Sequence, residues 1–145
     1  REKEGEKLQE DILSRAAAIL EAVGQVEERS PQTVREHMDK VQARMRELLG
    51  TATVDEQRLL TEAALFADKI AVAEETVRLR SHISQLEHML AGNEAVGRKL
   101  DFLVQEINRE ANTIGSKAQD VQLARVVVDI KAEIEKIREQ IQNIE

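Results

Sequence analysis

Leu123, Val127, Ile130, Ile134, Ile137, Ile141 and Ile144 recur at alternating spacings of four and three along the last stretch of the chain. At about 3.6 residues per turn, only a helix brings all of these side chains to one side. The segment therefore reads as a helix from about Asp120 onward, with an apolar stripe that another helix must cover. A stripe kept up over three heptads has the form of a coiled-coil seam. Isoleucine at both seam positions leans toward assemblies larger than a parallel pair. The expectation is a coiled-coil-like terminal helix used in oligomerisation. The alternative is a seam filled by the chain's own helices.

The rest of the chain follows the same three-and-four rhythm, and no segment alternates in the manner of a strand. The fold class is all-α. Leu8, Ile12, Ile19, Val23 and Val26 mark a first helix over about Glu4–Glu28. Ser30-Pro31 then reads as an N-cap and first-turn proline for a second helix ending near Gly50, with Val34, Met38, Val41, Met45 and Leu48 as its stripe. So short a connection predicts an antiparallel helical hairpin. Asp55 caps a long third helix that stops near Gly92-Asn93 and carries two stripes. One holds Leu59, Phe66, Ile70, Ala73 and Val77, and the other Leu65, Val72, Leu79 and Leu86, joined by Ile83 and Leu90. A fourth helix covers Gly97–Lys117 and is expected to break at Gly115-Ser116. No repeat, low-complexity tract or linker divides the 145 residues, so they form one domain.

Charge and composition narrow the function. With 28 acidic and 21 basic residues the net charge is −7, the wrong sign for a nonspecific polyanion binder. Two phenylalanines, Phe66 and Phe102, with no Trp or Tyr, are too few for a base-stacking platform. Nucleic-acid contacts would then rest on local Arg/Lys clusters, on metal ions or on chain outside this sequence. Zero cysteines exclude disulfides, thiolate metal sites and a cysteine nucleophile. No apolar run approaches a membrane span, and the charged opening REKEGEKLQE lacks the pattern of a signal peptide. Phosphate-binding glycine loops, zinc-protease helix motifs and serine elbows are absent from the sequence. The charge runs Arg1–Glu10, Arg44–Glu47 and Glu133–Glu139 mix both signs and read as solvated faces.

Two polar clusters remain. On the fourth helix Leu100, Leu103, Val104, Ile107, Ala111 and Ile114 take one side, and Arg98, Asp101, Gln105, Asn108, Arg109 and Asn112 the other. Asparagine is a poor interior helix former, so helicity alone does not explain this second face. Arg98, Lys99, Arg109 and Lys117 can meet phosphate oxygens. Asp101, Glu106 and Glu110 are hard oxygen ligands suited to magnesium or manganese. Gln105, Asn108 and Asn112 can orient water or ribose hydroxyls. Phosphodiester hydrolysis needs that inventory, while an interhelical hydrogen-bond network would use the same residues. The other cluster is Glu75, Arg78 and His82, three and four residues apart and hence on one helix face. Together they can ligate a divalent ion, hold a phosphate and move a proton. Ordinary helix stabilisation by Glu75 and Arg78 is the plainer reading. His82 has such company; His88 and His37 do not, and are expected to be solvated.

GRKLDFLVQEINREANTIGSK, preceded by RLRSH and followed by VVVDIKAEIEKIREQIQNIE, resembles the YicC/YloC-like family of bacterial proteins. The likeness spans the whole chain and corresponds to the family's C-terminal helical half; Arg1-Glu2-Lys3-Glu4-Gly5 is similar to its REREG-type junction. Ile107 stands where Met is usual and Leu86 where an aromatic is common. The resemblance implies a divalent-metal-dependent endoribonuclease of the cytoplasm that cleaves single-stranded RNA as a hexameric, clamp-like ring. It also implies an N-terminal mixed α/β half absent from this sequence, without which the present segment would be inactive. The family motif falls on Arg78, Arg80, His82, Arg98, Lys99, Asp101, Gln105, Glu106, Asn108, Arg109, Glu110, Asn112, Ser116 and Lys117. The implied assignment makes His82 a general acid/base and Asp101, with Glu106 or Glu110, a metal ligand. Arg80, Arg98 and Arg109 hold the scissile phosphate, and Arg78, Lys99, Gln105, Asn108, Asn112 and Lys117 bind RNA. Two other readings stand beside this one: an oligomerisation module whose chemistry lies elsewhere, and an RNA-decay adaptor that binds without cutting.

Overall fold

In the computed structural model, which describes residues 2–50, 55–92 and 97–144, the chain is five helices and, among these residues, no strand. They are α1 (Glu2–Leu49), α2 (Glu56–Ile70), α3 (Ala73–Ala91), α4 (Gly97–Lys117) and α5 (Val121–Ile144). The all-α class holds. Asn93, expected in the third helix's stop, and the side chain of Ile144, expected in the last stripe, lie outside the described residues.

The turn expected at Ser30-Pro31 is absent, and α1 runs 48 residues straight through Pro31. Proline there cannot donate to the carbonyl of residue 27 and ordinarily costs a helix about 3 kcal/mol. A tertiary ion pair before Pro31 and burial on either side of it offset that cost. Arg29 donates twice to Asp120 at 3.0 and 3.1 Å, while Ser30 and Thr33 are buried and the Thr33 hydroxyl donates to the Ser30 carbonyl at 2.8 Å. The hairpin forms one connection later, between the end of α1 and α2. Arg46 pairs with Glu56 at 2.8 Å, and the rings of His37 and Phe66 lie 6.5 Å apart, so the two helices run antiparallel. Asp55 caps α2 as expected, accepting from the backbone of Gln57 and Arg58.

The long third helix is two. Its break falls at Ala71-Val72, where Ala71 is extended (φ −70°, ψ 137°) and no Gly or Pro signals a stop. The Lys117 ammonium, from α4, donates to the freed Ala71 carbonyl at 3.3 Å, a cap supplied by tertiary structure. The break also rephases the stripes. Val72, Leu79, Ile83, Leu86 and Leu90 are buried, whereas Leu65 and Val77 are exposed. By contrast α4 passes unbroken through Gly115-Ser116. A Cβ on Gly115 would come within 3.1 Å of Val127 Cγ1, so this glycine serves the close approach of α4 to α5.

The first half of α1 packs with α3, α4 and α5 into one bundle core. Helix α5 lies antiparallel to α1, fixed by Asp11 with Gln140 (2.8 Å), Arg15 with Glu133 (3.1 Å) and Arg29 with Asp120. Leu123, Val127, Ile130, Ile134, Ile137 and Ile141 are all buried in that core. The stripe is thus covered within the chain, the alternative reading of this seam. The second half of α1 and α2 form an arm beyond the bundle. His37 ties its base down, with Nε2 2.6 Å from the Gln119 carbonyl oxygen, and is not the solvated histidine expected.

Candidate functional site

Helices α3 and α4 run antiparallel and meet along a line of charge. Lys117 of α4 donates to Glu75 of α3 at 2.6 Å, and one turn along Arg78 of α3 donates to Glu110 of α4 at 3.0 Å. At the far end His88 and Met89 line a small cavity with Lys99. This register places Glu106 level with His82, although the two make no ion pair. The expected cluster of Glu75, Arg78 and His82 does share one face, and that face looks onto α4.

The groove is built around buried carboxylates. Glu75 is 3% and Glu110 6% exposed, and a buried carboxylate needs a cation or several donors. Arg78 supplies both, lying 3.0 Å from Glu110 and 3.6 Å from Glu75, with Glu74 also at 3.6 Å. Lys117 neutralises Glu75 from the other side. Among the described residues two buried atoms in this region have no hydrogen-bond partner, Glu75 Oε2 and His82 Nδ1. Unpaired buried polar atoms are rare, and here both lie on the α3 face toward α4.

These pairings divide the expected RNA-binding cations into two groups. Arg78 and Lys117 are bound to buried carboxylates. Arg80 donates to both carboxylate oxygens of Glu27 on α1, which holds the Glu27 carboxyl below its ordinary range. Arg80 thus joins α3 to α1 and its charge is matched. Arg98, Lys99 and Arg109 are exposed and, among the described residues, have no ion-pair partner within 4.0 Å.

The open face of α4 is as the spacing predicts. Arg98, Gln105, Arg109 and Asn112 are exposed, Asp101 and Asn108 half-buried, and none of their side chains hydrogen-bonds to another described residue. The interhelical reading holds on one flank of this helix, and the other flank is exposed. Glu110 and Lys117 belong to an interhelical network, and the Arg98–Asn112 face is free. Ser116 is turned inward on its own helix, donating to the Thr113 carbonyl at 2.9 Å.

The expected metal ligands do not converge. Among the described residues no three His, Asp or Glu side chains are placed to hold a metal ion, and Glu110 is engaged with Arg78. Asp101, Glu106 and Glu110 therefore do not make a site by themselves. One residue escaped the sequence reading. Phe102 stands on the open α4 face and is 60% exposed. Its position on the helix, between Arg98 and Arg109 and away from the leucines, was the available signal.

A family described as endoribonuclease YicC-like, C-terminal, matches residues 26–145. The chain belongs to this YicC-like family. A protein of Clostridioides difficile named "Probable endoribonuclease YicC" is 47% identical over the whole chain, which covers 50% of that protein. A second of the same name, from Haemophilus influenzae, is 38% identical over the whole chain and again 50% covered. The chain spans about half the length of these YicC-like relatives. The family match begins within α1, at Val26, while both relatives extend across all of it. No helix among the described residues is long and apolar enough to cross a membrane.

Proposed function

We propose that this chain is the helical half of an endoribonuclease and that the open face of α4 carries RNA past the α3–α4 groove. The observation that supports the reading is the sorting of cations. Arg78, Arg80 and Lys117 are consumed by carboxylates, while Arg98, Lys99 and Arg109 remain available to phosphate on one helix. Exposed cations attract a polyanion; paired ones contribute little. Gln105, Asn108 and Asn112, between the arginines, have donors and acceptors for ribose hydroxyls or water. His82 lies in the adjacent groove as the general acid/base, while Asp101 stands on the open face, on the opposite side of α4 from the Glu110 and Lys117 that meet α3. The net charge of −7 is compatible with this, because the RNA face is local and other cations would come from outside the chain.

The reading extends to a protein of about twice this length that works in the cytoplasm as a homo-oligomer, a hexamer, on single-stranded RNA. A divalent ion, magnesium or manganese, belongs to the same reading. Because Asp101, Glu106 and Glu110 do not converge, further ligands would have to come from outside the described residues, and no step is assigned to the ion. The burial of the α5 seam favours assembly through other surfaces.

Cleavage of a labelled single-stranded RNA by the full-length protein, with and without chelator, tests the activity. Asp101→Ala, His82→Ala and Arg98→Ala should each slow cleavage. If all three cut at the wild-type rate, the site lies elsewhere. The same assay on residues 1–145 alone is expected to show no cleavage, and activity there would remove the need for a second half. The runner-up, an adaptor that binds RNA without cutting, would show retained RNA affinity with no cleavage under any metal condition.

A further inference from the structure

Every large apolar side chain of α4 but one is buried: Leu100, Leu103, Val104, Ile107 and Ile114 are all 5% exposed or less. The exception is Phe102. Among the described residues it has no aromatic partner and lies outside the buried core. On the helix it follows Arg98 by four residues and precedes Gln105 and Arg109 by three and seven, all of them exposed. The backbone positions of Arg98 and Arg109 therefore lie about 6 Å and about 10 Å along the axis on either side of Phe102, at roughly 1.5 Å rise per residue.

We propose that Phe102 stacks on an unpaired RNA base while Arg98 and Arg109 hold the phosphates on either side. This inference rests on the reading of α4 as an RNA face and adds the residue that distinguishes unpaired from paired RNA. An aromatic ring accepts any base on its π-face, and bases held inside a duplex do not present that face. A protein surface could also cover a phenylalanine, but such contacts centre on contiguous apolar patches with charge at the rim. Phe102 has the opposite setting. Its helix neighbours on the open face are Arg98, Asp101, Gln105, Glu106 and Arg109, and the other exposed large hydrophobics, such as Leu60, Val77 and Val128, lie on other helices.

The test uses the full-length protein and two probes: a single-stranded RNA carrying 2-aminopurine and a blunt RNA duplex of the same length. Stacking of a base on an aromatic side chain corresponds to roughly 5- to 150-fold in affinity, so Phe102→Ala should weaken single-strand binding by about 10-fold. It should also abolish the fluorescence quenching on binding, with duplex binding and salt dependence unchanged. Phe102→Trp should retain binding and quenching, and Phe102→Leu should behave as Phe102→Ala. If Phe102→Leu matched the wild type, the ring would be an apolar contact and the proposal would be overturned. A change in sedimentation of Phe102→Ala without RNA would overturn it equally, by making Phe102 a protein contact. Arg98→Gln/Arg109→Gln separates this proposal from the one beneath it. Should that variant lose affinity and salt dependence while Phe102→Ala keeps both affinity and quenching, the RNA face stands and the stacking role falls. Were neither variant to alter binding, both would fall.

Discussion

Truncating Ile130 to alanine tests whether the α5 seam is closed within one chain. Ile130 is fully buried in the core that joins the first half of α1, α3, α4 and α5. The substitution removes three carbons. At ~0.8 kcal/mol per buried methylene the transfer loss is about 2.4 kcal/mol, and incomplete collapse of the cavity raises it to about 3 kcal/mol. For a chain of this size, each kcal/mol moves the melting temperature by roughly 2–4 °C. The expected shift is therefore a fall of about 6–12 °C. Urea and thermal denaturation of residues 1–145, each followed by circular dichroism at protein concentrations spanning a hundred-fold range, supply the free-energy loss and the shift in melting temperature. Because the partners of Ile130 are on the same chain, the loss should be the same at every concentration. A loss below about 1 kcal/mol, or a midpoint that rises with concentration only in the wild type, would refute the intramolecular seam. It would restore the assembly role that the sequence pattern suggested.

Other outcomes follow from single residues. Gly24→Ala should stabilise the chain by about 0.5–1 kcal/mol, since glycine is costly inside a helix and the new Cβ meets nothing closer than the Arg80 guanidinium at 3.7 Å. Gly115→Ala should not, because its Cβ would press on Val127 at 3.1 Å; a thermal melt of each variant decides. Asp11, Glu27 and Asp120 are held below their ordinary ranges, first of all by side-chain hydrogen bonds from Arg15, Arg80 and Arg29 respectively. The stability they contribute is present above the usual carboxylate values of 3.8 and 4.5, and is lost as pH falls through the lower folded values. Melting temperature should therefore drop on acidification below about pH 4.5, less steeply in Asp120→Asn, and a flat profile would contradict the pairings. Arg80→Gln should lower stability yet leave the salt dependence of RNA binding intact. Arg98→Gln and Arg109→Gln should each reduce the logarithmic salt slope by about 0.7, as one lost phosphate contact on a single strand requires.

Much of the candidate face was legible because it is local. Arg98, Asp101, Gln105, Asn108, Arg109 and Asn112 share a face by spacing alone, and the fold leaves that face open. What spacing does not contain is the partner on a neighbouring helix. Nothing within RLRSH says that Arg80 will be matched by Glu27, 53 residues away, or Arg78 by Glu110, 32 residues away. Two residues that looked alike in sequence, Arg80 and Arg98, thus differ in what they can bind. The same holds for Glu110, read as a metal ligand and found buried beneath an arginine.

The periodicity of the chain determined its helices, because a stripe at three and four residues has only one backbone solution. Asp55 at the start of α2 and the buried face of α5 needed nothing further. Where helices end, and what covers them, was decided by tertiary contacts. Local propensity favours a turn at Ser30-Pro31, yet α1 continues because Arg29 and Ser30 are held on either side by α5 and by burial. It offers no stop at Ala71-Val72, yet the helix breaks there because Lys117 of α4 receives the released carbonyl. A sequence stripe records that a surface must be buried. Only the assembled bundle records by what, because the covering helices are distant in the chain and their approach depends on the whole core.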